Sequence, residues 1–139
     1  MDWPSAALTD SMFMAFRAAG VHANVTELDV DLLPRATRNI TADVSLHAEM
    51  QARNNPYAGG LPDSMQVALA NRYRELFAVY LKHADIIDRV TFWGVTDQDS
   101  WLNGWPVPGR TSYPLLFDRM GQPKPAFDAV VALRLNSTR

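Results

Sequence analysis

The sequence contains no cysteine, which excludes disulfides, thiolate metal sites and a cysteine nucleophile. No apolar run approaches the roughly 18 residues that a membrane span needs, so no membrane partner is expected. Positive charge is not in excess either. The 13 Lys+Arg stand against 15 Asp+Glu, a formal net charge of -2. Nucleic acid is therefore not an expected partner, because neutralising phosphates takes a basic surface. The first residues, Met1-Asp2-Trp3-Pro4, have neither a basic region nor an apolar stretch and do not read as a signal peptide. Glutamate is scarce: only three of the 15 acids are Glu, at positions 27, 49 and 75.

What is present is the composition of a globular chain, with 47% apolar and 20% charged residues over 139 positions, enough for one domain with a core. Nine prolines punctuate it, and three of its four tryptophans (Trp93, Trp101 and Trp105) crowd into thirteen residues. Each indole is large and must place an N–H, so such a cluster calls for a reason.

Ser5 to Ala19 reads as a helix, with Ser5 as cap, Leu8, Met12, Phe16 and Ala19 on one face, and Gly20 just past its end. Val21 to Val30 reads as a strand, with Val21, Ala23, Val25 and Glu27 on one side, so that an apolar row ends in a carboxylate. Residues 31–62 form a long irregular connection broken by Pro34, Pro56, Gly59, Gly60 and Pro62, with a helical turn expected over 43–52. Asp63 and Gln66 have the spacing of a capping box. Leu69, Tyr73, Leu76, Phe77, Tyr80, Leu81 and Ala84 then mark a buried helix face, opposite Arg72, Arg74, Glu75 and Lys82. Arg89 to Thr96 is rich in β-formers. A loop carries Trp101 and Trp105 as far as about Tyr113, and Pro123-Lys124-Pro125 opens a last helix. Strands alternating with helices imply α/β structure with a parallel sheet. Two parallel strands do not make a stable sheet alone, so the pattern describes a piece of a larger sheet.

In parallel α/β folds the working residues sit at the carboxyl ends of the strands. Here those ends carry Glu27 and Asp29 on one side, and Trp93 and then Trp101 on the other. Indole faces stack on sugar C–H faces, and a carboxylate can attack an anomeric carbon, so the combination fits carbohydrate chemistry. Glu27 and Asp29 share a face at period two. Against this, Glu27 also reads as a solvated strand-end acid, and Trp93 and Trp101 as packing residues. Trp105, beside Pro106, reads as packing, Glu75 as solvated and Glu49 as surface. His47 and His83 read as surface or helix-end residues, and His22 as a histidine buried through a hydrogen bond. No His/Asp/Glu set has metal-ligand spacing, and no glycine-rich phosphate loop follows either strand, so neither metal nor cofactor is expected. Asn-x-Ser/Thr triplets occur at Asn24, Asn39 and Asn136. The first lies inside a strand.

The runs Thr26-Glu27-Leu28-Asp29-Val30, Arg89-Val90-Thr91-Phe92-Trp93-Gly94-Val95 and Asp99-Ser100-Trp101-Leu102 resemble the seventh and eighth strands of glycoside hydrolase family 10, the endo-1,4-β-xylanases. Tyr113-Pro114-Leu115-Leu116-Phe117-Asp118 and Gln122-Pro123-Lys124-Pro125-Ala126-Phe127 resemble its closing segment. The resemblance runs through essentially the whole chain in order. It implies a (β/α)8 barrel, of which residues 1–139 would be a partial catalytic domain. The length falls well short of the roughly 250 residues of a complete barrel. It also implies retaining hydrolysis of xylan, with Glu27 as nucleophile, Asp29 as the acid that supports it through a histidine, and Trp93 and Trp101 walling the sugar. The family's acid/base is a Glu after Asn on the fourth strand, and no Asn-Glu pair occurs here. Its bridging histidine comes from a Gln-x-His on the sixth strand, which would lie before Met1. The expectations are thus a C-terminal fragment of a secreted xylanase, binding xylan or xylo-oligosaccharide and completed by the rest of the barrel, with no turnover of its own. A non-catalytic xylan-binding or complementation fragment, and a retaining barrel hydrolase of another β-glycan, are the alternatives.

Overall fold

A computed structural model describes residues 4–33 and 53–136. The described elements run α1 (Ala6–Ala18), β1 (Ala23–Leu28), α2 (Asp63–Lys82), β2 (Ile87–Phe92), a 3-10 turn (Asp97–Asp99) and α3 (Pro125–Asn136). The order matches the sequence reading. The helical turn expected over 43–52, with Glu49 and His47, lies outside the described residues.

Local chemistry sets the ends of α1. Ser5 Oγ accepts the Leu8 amide at 3.2 Å, so the expected cap forms. Gly20 turns the chain out at a φ of 70°. The expected capping box on α2 does not form. Pro62 is the N-cap, with no side-chain bond, and its carbonyl accepts the Met65 and Gln66 amides at 2.9 Å each. Proline at this position pre-sets an extended backbone, which leaves Asp63 inside the first turn, where its charge suits the helix dipole.

β1 and β2 pair in parallel, joined across α2, with Ala23 opposite Ile87, Asn24 opposite Arg89, Val25 opposite Val90 and Leu28 opposite Phe92. The register slips between Val25 and Leu28. Helix α2 packs between the strands, α1 and α3. Tyr73, Leu69 and Phe13 are almost fully enclosed, and Leu28, Val30, Leu76, Tyr80, Leu116 and Ala126 complete one core. Phe77 stacks on Phe92 at 6.0 Å, which fixes α2 over β2. Burying a large apolar side chain contributes about 1.5–3 kcal/mol, so these rings dominate cohesion.

Burial differs from expectation on α1 and α2. Thr9 and Phe13 are the buried residues of α1, whereas Leu8, Met12 and Phe16 are exposed. They line a groove of about 560 Å³ with Ala23, Asn24 and Val25 of β1. Their apolar spacing is real, but no described element covers them. Arg72, read as solvated, is buried, and its guanidinium donates to the Pro4 carbonyl and to Glu75 at 3.3 Å. The stem lies in the core while the head finds acceptors. His83 stands at the end of α2, one of its two expected places, but is fully buried rather than at the surface, with Nε2 2.7 Å from Asp10 Oδ1. His22 is the reverse: its side chain is exposed, and it bonds Asp88 at 2.9 Å.

Candidate active site

The carboxyl end of β1 does not continue as a regular strand. Glu27 has a φ of 57°, the left-handed region, the only non-glycine described with a positive φ. A side chain there is strained, and such strain collects at functional positions. The register slip at this point is a bulge, which re-aims side chains. The period-two relation expected between Glu27 and Asp29 is therefore interrupted. Glu27 is exposed, and among the described residues no group bonds its carboxylate.

Asp29 is half-buried, and its Oδ2 accepts the indole N–H of Trp101 at 2.6 Å. Burial pushes its carboxyl above the ordinary aspartate value, the Trp101 bond opposes that, and the nearby Asp31 charge adds to it. The structure thus joins two of the four residues expected from sequence, across 72 positions. Trp93 sits immediately after β2, its amide donating to the Leu28 carbonyl at 3.1 Å, so it stands beside the Glu27–Asp29 segment. Its side chain is 47% exposed, and that of Trp101 45%. Gly94 follows at a φ of 156°, and a Cβ there would meet Leu115 Cδ1 at 2.9 Å. Only glycine lets the strand pass this close while presenting Trp93.

Trp105, read as packing, is 58% exposed and lies against Trp101, with ring centroids 4.9 Å apart and a 35° tilt. It does pack, but on the other tryptophan rather than in the core.

The residue missed by sequence reasoning is Lys124. Its ammonium is buried and donates to Asp97 Oδ2 at 2.8 Å and to the Tyr113 and Leu115 carbonyls at 2.9 and 2.8 Å. Asp97 Oδ1 accepts the Leu115 amide at 2.9 Å. Burial pushes the Asp97 carboxyl up and the Lys124 ammonium down, each opposed by the other's charge. The pair ties the start of the tryptophan loop to the start of α3. Asn103 ties its middle. Its amide donates to the Asp97 and Gln98 carbonyls at 2.8 and 3.0 Å, and its Oδ1 accepts from the Ser112 amide and the Arg119 guanidinium at 3.0 and 2.6 Å. Residues 53–60 close on the same loop. Asn55 bonds Gly109 and Thr111, Arg110 donates to the Asn54 carbonyl, and Tyr113 donates to the Tyr57 carbonyl. Asp97 therefore acts as a brace. Glu75 is an exposed helix acid, as expected. Among the described residues no group of acids and histidines could hold a metal ion, and no helix is long and apolar enough to cross a membrane.

A parallel β–α–β unit with acids at one strand end and exposed tryptophans at the next has the architecture of part of an α/β barrel. The sequence profile of glycosyl hydrolase family 10 matches residues 1–133, and the chain belongs to that family. It is 42% identical over 132 residues to endo-1,4-beta-xylanase A of Xylanibacter ruminicola, covering 95% of this chain and 36% of that protein. Among solved structures it is similar to an endoxylanase of the same family from a sugarcane soil metagenome, with a TM-score of 0.83 at 43% identity, over 96% of this chain and 36% of that one. It is also similar to a mutant protein in complex with xylotriose, with a TM-score of 0.71 at 26% identity, over 93% of this chain and 35% of that one. The chain thus spans about a third of the length of these relatives.

Proposed function

We propose that the chain supplies the nucleophile half of a retaining β-1,4-xylan hydrolase, corresponding to strands seven and eight of its barrel. Glu27 attacks the anomeric carbon as the glycosidic C–O bond breaks, and the departing sugar oxygen takes a proton from an acid outside this chain. Water, deprotonated by that same group, then hydrolyses the covalent glycosyl-enzyme and frees Glu27. Asp29 keeps the Glu27 segment oriented, and Trp93 and Trp101 stack on the sugar. The carrying observation is the Trp101–Asp29 bond, which brings the tryptophan loop to the end of the strand that bears Glu27. The names of the relatives, and the xylotriose held by one structural neighbour, support xylan or its oligosaccharides as the ligand.

Retaining chemistry needs a second carboxyl about 5–5.5 Å from the nucleophile. Glu75 stands on the exposed side of α2 and is no candidate. The acid/base and the histidine between Glu27 and Asp29 come, on this reading, from the remaining strands of a barrel secreted by its host. Those strands also cover the open edges of β1 and β2.

The test is a paired assay on the 139-residue chain. Soluble xylan in a native gel retards it, Trp101→Ala abolishes the retardation, and reducing-sugar release stays at background. Turnover that Glu27→Ala abolishes overturns the half-site reading. Retardation untouched by Trp101→Ala removes the tryptophan wall. Two exposed indoles on a braced loop, with the exposed Trp93 before it, also favour a purely sugar-binding role. Full activity of a completed barrel carrying Glu27→Ala would establish that role instead.

A further inference from the structure

Glu27, near the end of β1, and Asp29, just after it, differ in their restraint. Asp29 is gripped from the opposite side of the site by a donor whose own freedom is small. The Trp101 N–H reaches Oδ2 at 2.6 Å, and a bond from an N–H to an ionised carboxylate is of the stronger, charge-assisted kind. One face of the ring is backed by Trp105 at 4.9 Å. The residue before it, Ser100, is buried, and the residue after it, Leu102, is buried with its carbonyl accepting Ser112 Oγ at 3.0 Å. Asp97 and Lys124 anchor the loop four residues earlier. An indole held at its edge, its back face and both flanking residues is a fixed dipole aimed at a carboxylate.

We propose that Trp101 is a positioning residue for Asp29, its indole N–H fixing the carboxylate's orientation and favouring its charged form, so that the loop after β2 sets the electrostatics at the end of β1. This rests on the reading that Asp29 supports Glu27, and it adds to it. The tryptophan that meets the sugar also holds the acid behind the nucleophile. A sugar stacked on Trp101 then rests on the same ring whose edge holds Asp29, which couples subsite occupancy to that acid. Among the described residues, Asp31, whose charge raises the Asp29 carboxyl, Arg110, 3.8 Å from Asp31, and the buried Tyr73 hydroxyl, which feels the Asp29 charge, are the other charged or titratable groups near this spot. The N–H donation is the part that favours ionisation.

The experiment is a carboxyl-carbon NMR titration of Asp29 in the full 139-residue chain, followed together with the Trp101 indole N–H resonance. In the unsubstituted chain the indole resonance moves with the same midpoint as the Asp29 carboxyl. An indole resonance indifferent to Asp29 overturns the proposal without any substitution. In Trp101→Phe, which keeps a ring against Trp105 and loses the donor, the Asp29 midpoint moves up. An unchanged midpoint in a variant with native circular dichroism overturns it. Trp105→Leu loosens the ring but keeps the N–H, and its midpoint stays nearer the unsubstituted value. A rise equal to that of Trp101→Phe assigns the effect to packing and refutes the donor role. Xylan retardation is read separately, so loss of sugar binding and loss of the Asp29 coupling are distinguishable.

Discussion

Lys124→Met is the substitution whose cost is best defined. The ammonium is 3% exposed and its partner carboxylate 1%. Methionine fills most of the lysine stem's volume, so the change removes charge and three donations with little cavity. It leaves the Asp97 carboxylate enclosed, with only the Leu115 amide to hold it, and strands the Tyr113 and Leu115 carbonyls. Removing one partner of a buried pair costs about 3–5 kcal/mol, because the other charge stays buried without compensation. With a urea m-value of about 2 kcal/mol/M, the unfolding midpoint falls by about 1.5–2.5 M. A domain holds only about 5–15 kcal/mol in total, so the loss is a large fraction. Near-UV circular dichroism from the Trp101–Trp105 pair and the far-UV signal should fall together at the lowered midpoint. The control is Asp97→Asn with Lys124→Met. Asparagine still offers an acceptor to the Leu115 amide, no charge remains buried, and more than half of the lost stability returns. A Lys124→Met loss under about 1 kcal/mol, or a double variant no better than the single, refutes the buried-charge argument.

Glu27→Gly relieves the left-handed backbone at the end of β1. The strain is of order 1–2 kcal/mol and glycine's extra chain entropy takes back about 0.5–1, so stability stays level or rises by up to about 1.5 kcal/mol while the proposed nucleophile is lost. Denaturation showing a loss above about 1 kcal/mol would mean the bulge is not strained. The pH dependence has two opposed parts. Asp29, raised by burial, binds its proton more tightly folded than unfolded, so stability rises as pH falls through its raised folded value toward the unfolded one. Asp10, lowered by bonds from Lys82 and His83, and Asp85, lowered by Arg17, contribute stability present above the unfolded value of 3.8 and lost as pH falls through their folded values. Urea midpoints between pH 7 and 3 should pass through a maximum, and Asp29→Asn should flatten its neutral side. A midpoint falling monotonically from pH 7 contradicts the Asp29 assignment.

The element order was legible because it rests on local signals: the Ser5 cap, Gly20, the apolar face of α2 and the β-formers around Trp93. Burial was legible only where a partner is present in the same chain. Leu8, Met12 and Phe16 have helical spacing, but spacing says that a face is apolar, not that something covers it. Of the site, the strand-end residues were legible by type and position, while the contacts between them were not. Nothing in Val25-Thr26-Glu27-Leu28 signals a left-handed residue, since Gly and Asn, the usual markers, are absent. The Asp97–Lys124 pair spans 27 positions and forms only when the tryptophan loop closes on α3. One clue existed. The chain has two lysines, and Lys124 is set between prolines in an otherwise apolar stretch, where a charge needs a reason.

The distribution of bond types across the unit bears on how the site works. Around the tryptophan loop the braces are polar and directional, namely Lys124 on Asp97, Asn103 on four partners and Asn55 across to Gly109 and Thr111. Such bonds fix orientation, which stacking and nucleophilic attack require. At the flanks of the two-stranded sheet the surfaces are apolar. Leu8, Met12, Phe16 and Val25 lie beside β1, and Phe92, Val95, Phe117 and Phe127 line a groove of about 470 Å³ beside β2. Apolar faces are adhesive but undirected. Directional bonds therefore set Asp29, Trp101 and Trp105 from within the unit, while attachment to further strands is left to surfaces that tolerate small shifts. On the proposed function, such a unit brings Asp29 and the two tryptophans already oriented, and leaves the second carboxyl to whatever completes the sheet.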